Sequence, residues 1–262
     1  MMSNANPTAC HEPELSIVVP ALNEEDNVGP LVQEVKAATI DQGIDAELII
    51  VDDGSTDTTP QKLAELAARY PWVKPLRREK AMGQSAATAA GIAAATGRYI
   101  GFLDADLQND PADLPRLLAM LRDDQADMAQ GHRAKRKDTV VRKCTSWVGR
   151  TARKSILGDA IKDTGCSTRV MKAFYAKQLP LQFKGMHRFM PVYARMLGAR
   201  LVEVPVNHRP RVAGVAKYGV LNRALVGLFD CFAMRWMIRR YRQTVVTPIP
   251  PAGTTPHPQT QG

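Results

Sequence analysis

Apolar positions in the first half of the chain fall into short, nearly unbroken runs. "LSIVVP" (15–20), "ELIIV" (47–51), "WVKPL" (72–76), "YIGFLD" (99–104) and "ADMAQGH" (126–132) are each bounded by polar or turn residues and read as strands. Between them the apolar residues recur at three- and four-residue steps. Val28, Leu31, Val32 and Val35 mark one helix, and Leu63, Leu66, Ala67 and Tyr70 a second, with Thr59 as N-cap and Pro60 at its first position. An alanine-rich stretch over 84–95 and the set Leu114, Leu117, Leu118 and Leu121, within 111–122, complete the series. Strands that are apolar on both sides need cover on both faces. The alternation therefore predicts an α/β fold with a Rossmann-like, mostly parallel central sheet and helices on each side. In such a sheet ligands bind beyond the carboxyl ends of the strands.

The pattern changes after residue 132. Nine Lys or Arg and the single acid Asp138 fall between Arg133 and Lys154, while Val140, Val141, Cys144, Trp147, Val148 and Thr151 keep helical spacing. This predicts a basic amphipathic helix over 139–157. A second is expected over 221–241, with Leu225, Leu228, Phe229, Phe232 and Trp236 on one side and Arg235, Arg239, Arg240 and Arg242 towards its end. Its most apolar part, 224–238, is interrupted by Asp230 and Arg235 and is too short to span a bilayer. The expected organisation is a flexible segment 1–13, one domain over 14–220 in which 133–157 is the basic segment, a C-terminal helix over 221–243 and a disordered Pro- and Thr-rich tail over 244–262.

Composition adds a partner class. A net charge of +9 on 262 residues implies an anionic partner, whether nucleic acid, a lipid surface or a phosphorylated substrate. Cys10, Cys144, Cys166 and Cys231 are scattered without paired spacing, so neither a zinc site nor a disulfide framework is expected. The first residues lack a basic region followed by an apolar core and do not resemble a signal peptide.

Three polar clusters lie at the expected ligand edge: "ALNEEDN" after the first strand, "DDGSTD" after the second and "DADLQND" after the fourth. Two aspartates flanking one residue cannot both be buried as bare ions, since repulsion and desolvation oppose it. A divalent cation removes the conflict. Oxygen ligands from Asp106 and Gln108, with Asp104 nearby, suit Mg²⁺ or Mn²⁺ with positions left open for phosphate oxygens. The same side chains also fit a turn that starts the next helix. No Ser-His-Asp or Cys-His arrangement is visible.

The ordered set Pro20, Asn23 and Glu24, then Asp52, Asp53, Gly54, Ser55 and Asp57, then "GQSAATAAGI" from Gly83, then "DADLQ", resembles family 2 glycosyltransferases of the GT-A fold, in particular the polyprenyl-phosphate glycosyltransferases. The likeness extends over about 14–220. It implies that Asp104, Asp106 and Gln108 hold the metal, and that Pro20, Asn23, Glu24, Asp52, Asp53, Gly83 and Asp104 bind the nucleotide. It also implies that Arg133, Arg142 and Ser146 serve the phosphates. "HRPRVAGVAKYG" is similar to a phosphate-touching loop, implying Arg211, Gly214 and Lys217, although Ala216 stands where serine is usual. "DTGCSTR" implies Ser167 and Arg169 on the acceptor side.

The function so implied is metal-dependent, inverting transfer of a hexose-type sugar from a UDP- or GDP-sugar to a polyprenyl phosphate. It would take place at the cytoplasmic face of the membrane, on a protein attached peripherally to an anionic surface through its basic helices. No nucleic acid is implied, and a homo-oligomer is left open. The competing readings are a family 2 transferase acting on a hydroxyl acceptor, which would need a general base, a sugar-nucleotide pyrophosphorylase, a receiver domain and a metal-free membrane scaffold.

Overall fold

Every one of the five apolar runs pairs with a neighbour. In the computed structural model, which describes residues 12–133, 151, 153–209 and 220–242, they form β1 (Leu15–Ala21), β2 (Ala46–Asp52), β3 (Val73–Arg77), β4 (Tyr99–Phe102) and β5 (Met128–Arg133). Two strands not foreseen in the sequence, β6 (Arg169–Lys172) and β7 (Leu201–Val206), complete a seven-stranded sheet in the order β3-β2-β1-β4-β6-β5-β7. β6 runs antiparallel to both β4 and β5, and the other pairings are parallel. The expected mostly parallel α/β sheet is therefore present, with one reversed strand inside it.

Successive side chains of a strand point to opposite faces, and the core divides accordingly. Leu15, Ile17 and Val19 of β1 and Leu48 and Ile50 of β2 share one apolar cluster with Leu31 and Val35 of α1 (Val28–Ala38), Leu63 of α2 (Thr59–Arg69) and Leu114, Leu117 and Leu121 of α4 (Leu114–Arg122). Val18, Ile49, Ile100 and Phe102 join a second cluster with Ala87 and Ile92 of α3 (Gln84–Ala94). The same cluster takes in Ala176 of the short α5 (Ala173–Ala176), Met190 and Val192 of α6 (Met190–Met196) and Cys231 and Met234 of α7 (Val220–Arg240).

Two local details depart from expectation. Helix α2 begins at Thr59 itself, one residue earlier than a Thr59 cap would require, and Asp57 Oδ1 accepts from the Thr59 N–H at 3.0 Å. Residues 111–113 form a 3₁₀ turn ahead of α4, started by Asp110, whose Oδ1 accepts from the Ala112 N–H at 3.1 Å. Of the expected 139–157 helix, residues 153–157 are helical, and 139–150 lie outside the described residues, as do the 1–11 segment and the tail from 243.

Candidate active site

The loops after β1 and β2 are laced together. Asn23, at φ +54, donates its N–H to Ser55 Oγ (2.8 Å), and its Oδ1 accepts from the Thr56 N–H (2.9 Å). The Glu24 N–H donates to Thr59 Oγ1 (2.9 Å), and its carboxylate accepts from Asn27 Nδ2 (2.6 Å). Asp52, fully buried at the end of β2, accepts from the Ser55 N–H at 2.9 Å and faces Arg77 Nε at 3.7 Å. Asp53 accepts from the N–H groups of Met82 (3.1 Å) and Gly83 (2.7 Å), with Arg78 Nε at 3.7 Å. Gly54, at φ +81, has no room for a side chain, since a Cβ there would meet the Ala81 nitrogen at 2.9 Å. These contacts fix the two acidic loops relative to each other and to the start of α3.

The "DADLQ" turn leaves the end of β4 with Leu107 at φ +57, a left-handed conformation that costs a branched side chain energy. Asp104 Oδ1 accepts from Gln84 Nε2 (2.8 Å) and Oδ2 from Ser167 Oγ (2.7 Å). Burial pushes its carboxyl above the ordinary range; the Ser167 bond opposes this and the charge of Asp106 adds to it. Ser167 Oγ also accepts from Nδ2 of the buried Asn109 at 2.5 Å. Gln108 donates its backbone N–H to Asp106 Oδ1 (3.3 Å), and its carbonyl accepts from the Arg209 N–H (2.8 Å). Arg209 in turn grips Glu34 and Asp110, each at 2.8 Å. Asp104, Asp106 and Gln108 thus share one turn.

Because β6 is reversed, its first residue lies beside the carboxyl ends of β4 and β5: Arg169 pairs with Phe102 and with Gln130. That register brings the 163–169 segment to the ligand edge. Arg133, at the end of β5, makes a two-pronged contact with Asp163, Nε to Oδ2 at 2.7 Å and Nη2 to Oδ1 at 2.9 Å. Arg169 is buried, donating from Nη1 to the His187 carbonyl at 3.1 Å and from Nη2 to the Cys166 carbonyl, and burial lowers its pKa. His187 Nδ1 lies 2.7 Å from Ser85 Oγ on α3. A cleft of about 300 Å³ opens here, lined among others by Pro20, Gln84, Asp104, Ser167, Arg169, His187 and Arg188.

The structure therefore brings Pro20, Asn23, Glu24, Asp52, Asp53, Gly83, Asp104, Asp106, Gln108 and Arg133 to one edge of the sheet, together with Ser167 and Arg169. Arg142, Ser146, Arg211, Gly214 and Lys217 lie outside the described residues. Gln84, Asp163, His187 and Arg188 carry no catalytic or binding role in the sequence reading. Gln84 opens α3 directly after the Gly83 of the motif, a position from which it was findable; the others depend on the unforeseen β6 and on the turn before α6. Among the described residues no three His, Cys, Asp or Glu side chains group as a metal site. The oxygen donors that suit a divalent cation are two carboxylates and an amide, Asp104, Asp106 and Gln108; the burial that raises the Asp104 carboxyl, with the charge of Asp106 adding to it, is a cost that a cation at this turn would offset.

A family model described as Glycosyl transferase family 2 matches residues 16–179. The chain is 38% identical over 230 residues to a dodecaprenyl-phosphate galacturonate synthase of Rhizobium johnstonii, covering 86% of this chain and 68% of that protein. It is 33% identical over 210 residues to an undecaprenyl-phosphate 4-deoxy-4-formamido-L-arabinose transferase of Klebsiella pneumoniae, covering 80% and 64%. The chain thus spans about two thirds of the length of these relatives. Among solved structures, it is similar to glucosyl-3-phosphoglycerate synthase from Mycobacterium tuberculosis in complex with Mn²⁺, UDP and phosphoglyceric acid, with TM-score 0.63, 20% identity and coverage of 88% of this chain and 80% of that one. It is also similar to the mannosyltransferase PcManGT from Pyrobaculum calidifontis in complex with GDP-Man and Mn²⁺, with TM-score 0.61, 17% identity and coverage of 92% and 68%. At such identities the likeness establishes the fold, which is the GT-A arrangement.

Proposed function

The chain belongs to glycosyl transferase family 2, and from that premise we propose that it moves a hexose-type sugar from a UDP- or GDP-sugar to a polyprenyl phosphate, inverting the anomeric carbon. The observation that carries the reading is the placement of Asp104. It joins the acidic turn to a cleft whose far wall is cationic, with Arg169 and Arg188 lining it and Arg133 behind Gly165. The named activities of the two curated relatives, both on polyprenyl phosphates, support the same acceptor class.

The chemistry follows from the charges. Cleavage of the donor's glycosidic bond loads negative charge onto a diphosphate. A divalent cation held by Asp106 and Gln108, with Asp104 behind them, would offset that charge when bound. Asn23, Glu24, Asp52 and Asp53, braced by one another's loops, present the nucleoside side of the site. The acceptor, a phosphate monoester with a second pKa near 6, is already ionised at neutral pH. It therefore needs a guanidinium to orient it more than a base to deprotonate it. Asp104 is the one carboxylate among the described cleft-lining residues, and both its oxygens are engaged by Gln84 and Ser167. A hydroxyl acceptor would require a base, and both candidates among the described lining residues are already engaged, Asp104 as above and His187, whose Nδ1 lies 2.7 Å from Ser85 Oγ.

Thermal melting with a panel of nucleoside diphosphates and Mn²⁺ tests the donor side. A diphosphate at a hundred times its Kd raises stability by about 2.7 kcal/mol. UDP or GDP should lift the melting temperature of the native protein with Mn²⁺ and fail to do so for Asp106→Asn. No shift with any diphosphate, or an unchanged shift in the variant, would remove the basis for this reading.

A further inference from the structure

Arg153 turns inward from the basic segment. In the sequence it is one of nine Lys or Arg between residues 133 and 154, yet in the structure it is 8% exposed. A buried guanidinium is costly unless it is paired. Here Nη2 meets Asp159 Oδ1 at 3.1 Å and donates to the Ile161 carbonyl, while Nη1 donates to Thr164 Oγ1 at 2.6 Å. Thr164 lines the cleft, in company with Gly165, Ser167 and Arg169. The chain on either side of it is held in place. Arg133 grips Asp163 with its two prongs, and Gln130 Nε2 donates to the Cys166 carbonyl at 3.0 Å. A hydroxyl that accepts from a guanidinium keeps its own proton to give, and no group among the described residues accepts it. The charged donor also polarises the O–H, which strengthens the bond it can offer.

We propose that the Thr164 hydroxyl donates to a phosphate oxygen of the acceptor, on the same wall as the Arg169 guanidinium, and that Arg153 is the positioning residue that aims it. The inference rests on the phosphate acceptor of the reading above and adds a contact to it. Arg169 points to the same class of ligand. It is 4% exposed, and among the described residues its guanidinium bonds to the His187 and Cys166 carbonyls and to no carboxylate, with Nε left unpartnered. No ion pair among those residues neutralises its charge, so an anion is the favoured neighbour. An ionised phosphate monoester offers oxygens that only accept, which match a hydroxyl that can only donate. A sugar hydroxyl, which also donates, matches such a wall less well. Arg153 does not line the cleft, and it acts on the ligand through Thr164. Its bond to Asp159, whose Oδ1 also accepts from the Ile161 N–H at 3.0 Å, fixes the guanidinium from behind.

Calorimetric titration of the full chain with geranyl phosphate, inorganic phosphate and geraniol tests it without requiring turnover. Geranyl phosphate should bind and geraniol should not. Thr164→Val, which replaces the hydroxyl by a methyl of similar size, should weaken geranyl phosphate by roughly 10- to 100-fold, and Thr164→Ser should restore it. Inorganic phosphate, if it binds with the same dependence on Thr164, supports the same hydroxyl contact with the phosphate alone as ligand. Arg153→Lys keeps the charge but cannot hold Thr164 and Asp159 together, and should weaken geranyl phosphate by about 3- to 10-fold. In the Thr164→Val background it should have no further effect, a non-additivity that a merely structural role would not produce. In transfer assays the Val variant should raise the acceptor KM with little change in kcat. Equal affinity of the Val and unmodified chains, absence of geranyl phosphate binding to the unmodified chain, or a full Arg153→Lys effect in the Val background would overturn the proposal. So would a loss of the UDP or GDP melting shift in Thr164→Val, which would assign the hydroxyl to the donor diphosphate. The diphosphate shift of the unmodified chain reports on the transferase reading separately, so the two can fail independently.

Discussion

Replacing Ser167 by alanine removes one hydroxyl from three elements at once. The hydroxyl donates to Asp104 at the end of β4 (2.7 Å) and accepts from Asn109 in the acidic turn (2.5 Å), while its own backbone leads into β6. A bond to a charged acceptor is worth about 1.5–3 kcal/mol, and a buried amide left without an acceptor costs about 1–3 kcal/mol. Asn109 is 4% exposed, so water cannot readily take the place of the hydroxyl there. The two losses share one group and are not additive, which puts the net cost at about 2–4 kcal/mol. For a domain of this size each kcal/mol lowers Tm by about 2–4 °C, giving a drop of roughly 5–15 °C. Differential scanning calorimetry of Ser167→Ala measures it, and Ser167→Thr, which keeps the hydroxyl, should recover most of the loss. Activity carries a second signature: freeing Asp104 to shift by even an ångström should cost roughly 10- to 100-fold in kcat/KM. An alanine variant that melts with the unmodified protein and turns over at its rate would refute the idea that this serine ties the acidic turn to the cleft.

Other perturbations follow from single contacts. Arg133→Lys cannot reproduce the two-pronged contact to Asp163 and should lower stability by about 1–2 kcal/mol in urea titrations, with a larger relative fall in kcat/KM. Gly91→Ala drives a Cβ to 2.4 Å from Val18 Cγ1, where α3 lies on β1, and should cost about 1–3 kcal/mol; Val18→Ala in the same chain should reduce that penalty, a non-additivity readable by thermal melting. At the opposite edge of the sheet, Arg200 and Lys172 hold the Asp127 carboxyl well below the usual range. A group whose folded pKa is depressed stabilises above its unfolded value, about 3.9, and that stabilisation is lost as pH falls further through the folded value. Melting temperature should therefore decline below about pH 4, and Asp127→Asn should lower the neutral plateau while flattening the acid limb.

The parallel half of the sheet was legible because its strands are buried on both faces and so announce themselves as unbroken apolar runs. Leu15–Ala21 and Ala46–Asp52 are buried along almost their whole length. The acidic loops were legible for a related reason: strand ends at one edge put "ALNEED", "DDGSTD" and "DADLQ" together whatever the details. What the pattern hid was β6. Its four residues, Arg169–Lys172, include an arginine and a lysine and carry no run long enough to register as a strand. With β6 hidden, so was the reversal that returns Asp163 and Arg169 to the site, and Ser167 could be assigned only by resemblance. His187 and Arg188 come from a turn that shows no periodicity, and their place in the cleft depends on Ser85 and on the carbonyl that Arg169 grips. The two-sided character of α7, in which Cys231 and Met234 are buried while Phe229, Phe232 and Trp236 are exposed, was blurred for a different cause. A helix apolar on both sides has no single direction in its sequence, and only the packing partner decides which side faces inward.

The most direct measurement is product analysis after incubating the protein with Mn²⁺, a UDP- or GDP-sugar and a short polyprenyl phosphate, by proton and phosphorus NMR. A sugar joined to the lipid phosphate with the donor's anomeric configuration inverted, and one nucleoside diphosphate released for each sugar transferred, is the expected result. A sugar found on a hydroxyl, a retained configuration, or donor consumed without a lipid-linked product would contradict it.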